Sequence, residues 1–151
     1  MKHTVLSYVL LVLCTLTAAT AFSQTQGSKP ALFNQYPSKI SCTQTAIEQL
    51  FTAYAGQDIS FSCSDNFLFQ GKTASNTTKY NSLQTVVIRS AQFADAILVI
   101  SKITGADHTS TFRGRIINTK YADGYELEQD KSGNYQFVKF ETDKLLPDCK
   151  Q

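Results

Sequence analysis

The chain has 151 residues, a formal net charge of +2 and 42% apolar residues. That content excludes wholesale disorder, and the near-neutral charge leaves no cationic footprint for nucleic acid or an anionic membrane surface. Ten Phe and seven Tyr without a single Trp supply large apolar rings of the kind that fill sheet cores.

Lys2 and His3 precede an apolar stretch from Val5 through Leu16, and small residues follow in Thr17-Ala18-Ala19-Thr20-Ala21. This is the three-part order of a secretory signal, and about 12 apolar residues fall short of the ~20 that span a bilayer. Cleavage after Ala21 makes Phe22 the first mature residue. Cleavage after Ser23 makes it Gln24, where polar composition begins, and this is the preferred boundary. A lipoprotein signal built on Cys14 would want a small residue before the cysteine, and Leu13 is not small. Cys14 is therefore expected to leave with the peptide. Residues 1–23 are read as signal peptide, 24–40 as an extended lead and 41–151 as one β-rich domain, with no transmembrane span in the mature chain. Removing Lys2 takes the net charge from +2 to +1.

Pro37 bars helix from the lead. Ile47, Leu50, Phe51 and Tyr54 then recur at i, i+3, i+4 and i+7, which predicts a helix over Thr43–Ala55. Thr45 with Glu48, or Ser41 with Gln44, offers a capping box, and Gly56 stands where a left-handed C-terminal cap belongs. After Gly56 the period becomes two, with Ile59, Phe61 and Cys63 on one face of a half-buried strand. Phe67–Lys72, Leu83–Arg89, Ala96–Ile103, Thr111–Asn118, Gly124–Gln129 and Tyr135–Phe140 continue as strand candidates between polar turns. One helix followed by consecutive strands without helical crossovers predicts an α+β fold. In it, an N-terminal helix packs on a curled antiparallel sheet, or small barrel, of six to seven strands.

Chemical motifs are few. His108 is the one histidine after the leader and lies in the polar run Thr104–Ser110, with no Cys or second His nearby to share a metal. Cys63 shares its face with Ile59 and Phe61 and reads as a buried small hydrophobe. No G-x-S-x-G elbow or Gly-rich phosphate loop occurs. Asp123, Glu126, Glu128 and Asp130 cluster around a strand whose Tyr125 and Leu127 face the other way, as on a solvated outer face. Asn76-Thr77-Thr78 matches a glycosylation acceptor and is read as a polar loop. No catalytic residue, metal ligand or cofactor is expected.

Export leaves Cys42, Cys63 and Cys149, an odd number in a disulfide-permissive compartment. Cys42 precedes the helix and Cys149 follows Pro147, so Cys42–Cys149 is the favoured bridge, stapling the ends of the domain. Arg89, Arg113 and Arg115 would form an anion site only if their strands converge; cross-strand ion pairing is favoured over it. A hairpin across Thr119–Ala122 would oppose positions summing to 241. Arg115 then faces Glu126, Arg113 faces Glu128 and Asn118 faces Asp123, while Gly114 opposes Leu127 and Ile116 opposes Tyr125. Apolar residues share one face and charges the other.

A compact aromatic-rich sheet without a catalytic motif suits recognition better than chemistry. The expected role is an exported, non-catalytic binding or interaction domain of the cell envelope or extracellular space, bacterial in the style of its leader, with an unidentified protein or small ligand as partner. A barrel-like carrier of a small apolar ligand and a carboxylate-dependent hydrolase are the alternatives.

Overall fold

The computed structural model describes residues 29–64 and 66–142. The expected leader, its cleavage site, Cys14 and Cys149 lie outside the described residues. Eight strands form one antiparallel sheet: β1 (Lys39–Cys42), β2 (Asp58–Ser64), β3 (Phe67–Lys79), β4 (Leu83–Ser90), β5 (Ile97–Thr104), β6 (Ser110–Ile117), β7 (Asp123–Gln129) and β8 (Tyr135–Glu141). Their order is β1-β8-β7-β6-β5-β4-β3-β2, so β1 and β2 are the edges. The sheet curls until those edges meet, giving a near-barrel.

The expected six to seven strands fall short of eight, by one at the upper bound. The missed strand is β1, only four residues long and sited where the chain was read as an extended lead. Its pairing with β8, Lys39 opposite Val138 through Cys42 opposite Tyr135, joins positions nearly one hundred residues apart in sequence. No local periodicity carries that information.

The helix is also shorter than the apolar stripe implied. An α-helix, α1, covers Gln44–Gln49 and a 3-10 turn covers Leu50–Thr52. Thr43 caps it by accepting a hydrogen bond from the Ala46 N–H, in place of either expected capping box. At the other end, Asn76 Nδ2 donates to the carbonyls of Phe51 and Ala53, and Gln84 Nε2 also donates to Phe51. These side-chain amides satisfy carbonyls that a further helical turn would have used. The chain turns extended at Ala53, and Tyr54, expected on the buried stripe, is 70% exposed. Gly56 does adopt the left-handed conformation, with φ +87°.

Asn76-Thr77-Thr78 is strand and not loop: β3 runs for 13 residues. Its first part pairs with β2 and its second with β4, and the register shifts between Thr73 and Ser75. This bulge lets one strand serve two neighbours around a corner.

The interior is packed with rings. Phe33, Tyr36, Phe67, Phe69, Phe93 and Tyr125 gather at the end that holds the β4–β5 and β6–β7 loops, with neighbouring centroids 5.1–6.3 Å apart. Phe51, Phe112 and Tyr135 gather at the opposite end. Phe33 belongs to the N-terminal lead, yet it is fully buried. Asp123, expected on the solvated face, is only 6% exposed. It accepts hydrogen bonds from the Leu32 and Phe33 N–H groups at 2.5 and 2.9 Å. Lys139 Nζ donates to the Phe33 and Tyr36 carbonyls at 2.7 Å each, and the Tyr125 hydroxyl donates to the Pro37 carbonyl at 2.6 Å. The lead is therefore a strap that closes one end of the barrel, and α1 with its 3-10 turn lies at the other.

Cys42 on β1 is disulfide-bonded to Cys63 on β2, with Cα atoms 4.3 Å apart. This replaces the expected Cys42–Cys149 bridge. The reason is topological: closing the barrel brings together two edge strands that the sequence separates by a helix, and each carries a cysteine at the seam.

Candidate functional site

A solvated barrel wall alternates apolar residues inward with polar residues outward. Most of this barrel obeys the rule, but β4–β6 does not. Val86, Ile88, Leu98, Ile100, Phe112 and Ile116 fill the inside. The outward positions then hold Leu83 and Val87 on β4, Ile97, Val99 and Ile103 on β5, and Ile117 on β6. Cross-strand pairing sets them side by side, Val87 opposite Val99, Leu83 opposite Ile103 and Ile97 opposite Ile117. Ile103 is 40% exposed and the others are half-buried. Near the middle, the Thr85 and Ser101 hydroxyls lie 2.9 Å apart and bond to each other, withdrawing their polarity from solvent.

The three arginines project from this same outer surface and do not converge. Arg115 bonds Glu126 Oε1 through Nε at 3.2 Å and Nη2 at 2.9 Å. The sequence-derived register holds for Gly114–Leu127, Arg115–Glu126 and Ile116–Tyr125. It stops there. Tyr135 Oη accepts the Phe112 N–H at 3.2 Å, taking a donor that a longer β6–β7 ladder would place near β7, and Arg113 makes no ion pair with Glu128. Asn118 likewise turns from Asp123, donating to the Ala94 carbonyl at 2.6 Å.

The carboxylates grouped by sequence are dispersed. Asp123 holds the strap, Glu126 pairs with Arg115, and Asp130 organises the β7–β8 turn. The Asn134 N–H, ahead of the other turn donors, holds the Asp130 carboxyl below its ordinary range. The Thr109 hydroxyl does the same for Asp107 in the β5–β6 loop. His108 lies exposed in that loop with φ +62°. Cys63 is oxidised and offers no thiol. Among the described residues no group of three or more His, Cys, Asp or Glu could hold a metal ion. Burial, then the charges of Asp123 and Tyr36, pushes the Tyr125 phenol up to about 12.

A surface cleft of about 560 Å³ opens across β2, β3 and β4 and under the β4–β5 loop. Sequence reasoning missed it, because its wall is assembled from three strands and a loop. Three further clefts, of 400–530 Å³, also open at the surface, and among the buried rings only Phe61, Phe93 and Tyr135 contribute to these three.

These features define a strap-closed, disulfide-seamed antiparallel near-barrel with an aliphatic outer face. No family model, curated protein or solved structure matches the chain. No helix among the described residues is long and apolar enough to cross a membrane.

Proposed function

We propose that this protein is an exported, non-catalytic binding domain that acts in the cell envelope or extracellular space and docks a protein partner on the outer face of β4–β6. One observation carries this reading: aliphatic side chains occupy outward positions on three adjacent strands, where a wall facing only water would be polar. The Cys42–Cys63 disulfide is in keeping with an oxidising compartment. Ring packing inside the barrel favours this reading over a carrier of an apolar ligand, and dispersal of the acidic cluster favours it over a carboxylate-dependent hydrolase.

Val99 is at the centre of the face, so Val99→Lys places a charge where the partner would bury an aliphatic group. Recovery from the native envelope fraction is the assay, with Lys39→Glu, on the far edge strand, as control. The expected result is one partner recovered by the wild type and by Lys39→Glu and lost with Val99→Lys. Equal recovery by all three, or recovery of none, would overturn the proposal.

A further inference from the structure

Lys72 on β3 and Arg89 on β4 stand directly opposite each other in the antiparallel ladder. Like charges so placed repel, and a fold without a use for them would be more stable with either one replaced. Asp58, opposite Lys72 on β2, relieves only half of this: its carboxylate lies 3.7 Å from Lys72 Nζ. Arg89 makes no ion pair or side-chain hydrogen bond with any described residue. Both cations line the 560 Å³ cleft, together with Asp58 and Asp95.

The wall behind them is rigid. Ser90 is buried, donates from Oγ to the Gln70 carbonyl and accepts the Gln92 and Phe93 N–H groups at 3.0 and 2.8 Å. A Cβ at Gly71 would collide with the Arg89 carbonyl and stand 3.0 Å from Ser90 Cα, so β3 and β4 approach here more closely than any side chain allows. The β4–β5 loop passes through Ala94 and Asp95 at φ +46° and +64°, and Asn118 Nδ2 pins the Ala94 carbonyl from β6's end. A cleft held this firmly spends little ordering entropy when it is filled.

We propose that this cleft is a binding site for a small monocarboxylate, held by the Arg89 guanidinium with Lys72 beside it. The planar fork of Arg89 matches the two oxygens of a carboxylate. Asp58 beside Lys72 and Asp95 on the same cleft bring the local charge close to balance, so selection rests on the fit of the planar fork to two coplanar oxygens and not on net charge. The cleft adjoins the docking face, since Arg89 stands opposite Ile97, but its test needs no protein partner and so fails or succeeds apart from that reading.

The test is an NMR titration of the 15N-labelled full chain at pH 7 with acetate and then with inorganic phosphate, at ionic strength held constant with sodium chloride. Saturable acetate shifts should be confined to the amides around Gly71, Ser90 and Asp95. Arg89→Ala should weaken acetate binding at least tenfold, Arg89→Lys should weaken it less, and Arg115→Ala should leave it unchanged. Should Arg89→Ala fail to fold, Lys72→Ala is the second variant, with a loss of several-fold expected. Shifts that never saturate, that spread over all Lys and Arg positions or that persist in Arg89→Ala would refute the site. Phosphate binding as tightly as acetate would refute the carboxylate assignment.

Discussion

Reduction of Cys42–Cys63, or its replacement by two alanines, removes the covalent closure of the barrel seam. The half-cystines are 21 residues apart in sequence. On the chain-entropy model a loop of that size is worth about 3 kcal/mol, about 1.4 kcal/mol less than a Cys42–Cys149 loop would give. For a domain of this size 1 kcal/mol corresponds to roughly 4 °C, so the melting temperature should fall by about 12 °C. Circular dichroism melts with and without a phosphine reductant, alongside melts of the double variant, measure it. Both routes should agree, because the model places the gain in the unfolded chain. Non-reducing peptide mapping should join the peptides of Cys42 and Cys63. A peptide joining Cys42 to Cys149, or a shift under about 3 °C, would refute the argument.

Asp123→Ala strands the Leu32 and Phe33 N–H groups and should cost about 2–4 kcal/mol in a urea titration, with those two amides exchanging much faster in hydrogen exchange. Gly71→Ala drives a Cβ into backbone that cannot yield and should cost about 1–3 kcal/mol in the same assay, while the aligned control Gln70→Ala on the exposed face changes little. Tyr125 should ionise above the ordinary phenol range: its phenol is raised from 10.0 to about 12, so its stabilising contribution is complete below pH 10 and is lost as pH rises to about 12. Ultraviolet difference titration against Tyr125→Phe reads this directly. Asp130 has the opposite sign: its depressed carboxyl supports the β7–β8 turn above its unfolded value of 3.8, and that support disappears as pH falls through the lower folded value, visible in the Ser132 and Asn134 amide shifts.

Where two faces of a strand carry different information, the sequence is readable at single-residue level. Gly114–Leu127, Arg115–Glu126 and Ile116–Tyr125 came from demanding that apolar and charged residues separate together. The same parity already marks Asp123, which alternates with Tyr125 and Leu127 and therefore points inward; grouping it with neighbouring carboxylates by charge hid this. β4 and β5 announce their outer face by lacking alternation: Val86-Val87-Ile88 and Ile97-Leu98-Val99-Ile100 are apolar on both sides. Illegible features are those that only closure creates. Nothing near Cys42 points to Cys63, nothing near Lys39 points to Val138, and the cleft at Lys72 and Arg89 needs a bend in β3 that shows only as a one-residue bulge.

Because β1 pairs only with β8, and the Leu32 and Phe33 N–H groups of the strap need Asp123 on β7, the first described residues cannot complete their hydrogen bonding until the last two strands exist. Vectorial emergence from a ribosome or a membrane pore cannot finish this fold by stages. Ring closure must wait for β8, about a hundred residues after β1, which makes folding slow for its size and leaves the growing polypeptide open. A molecule wired in this way stays threadable for as long as its end is held back, and becomes a closed body when that end is released.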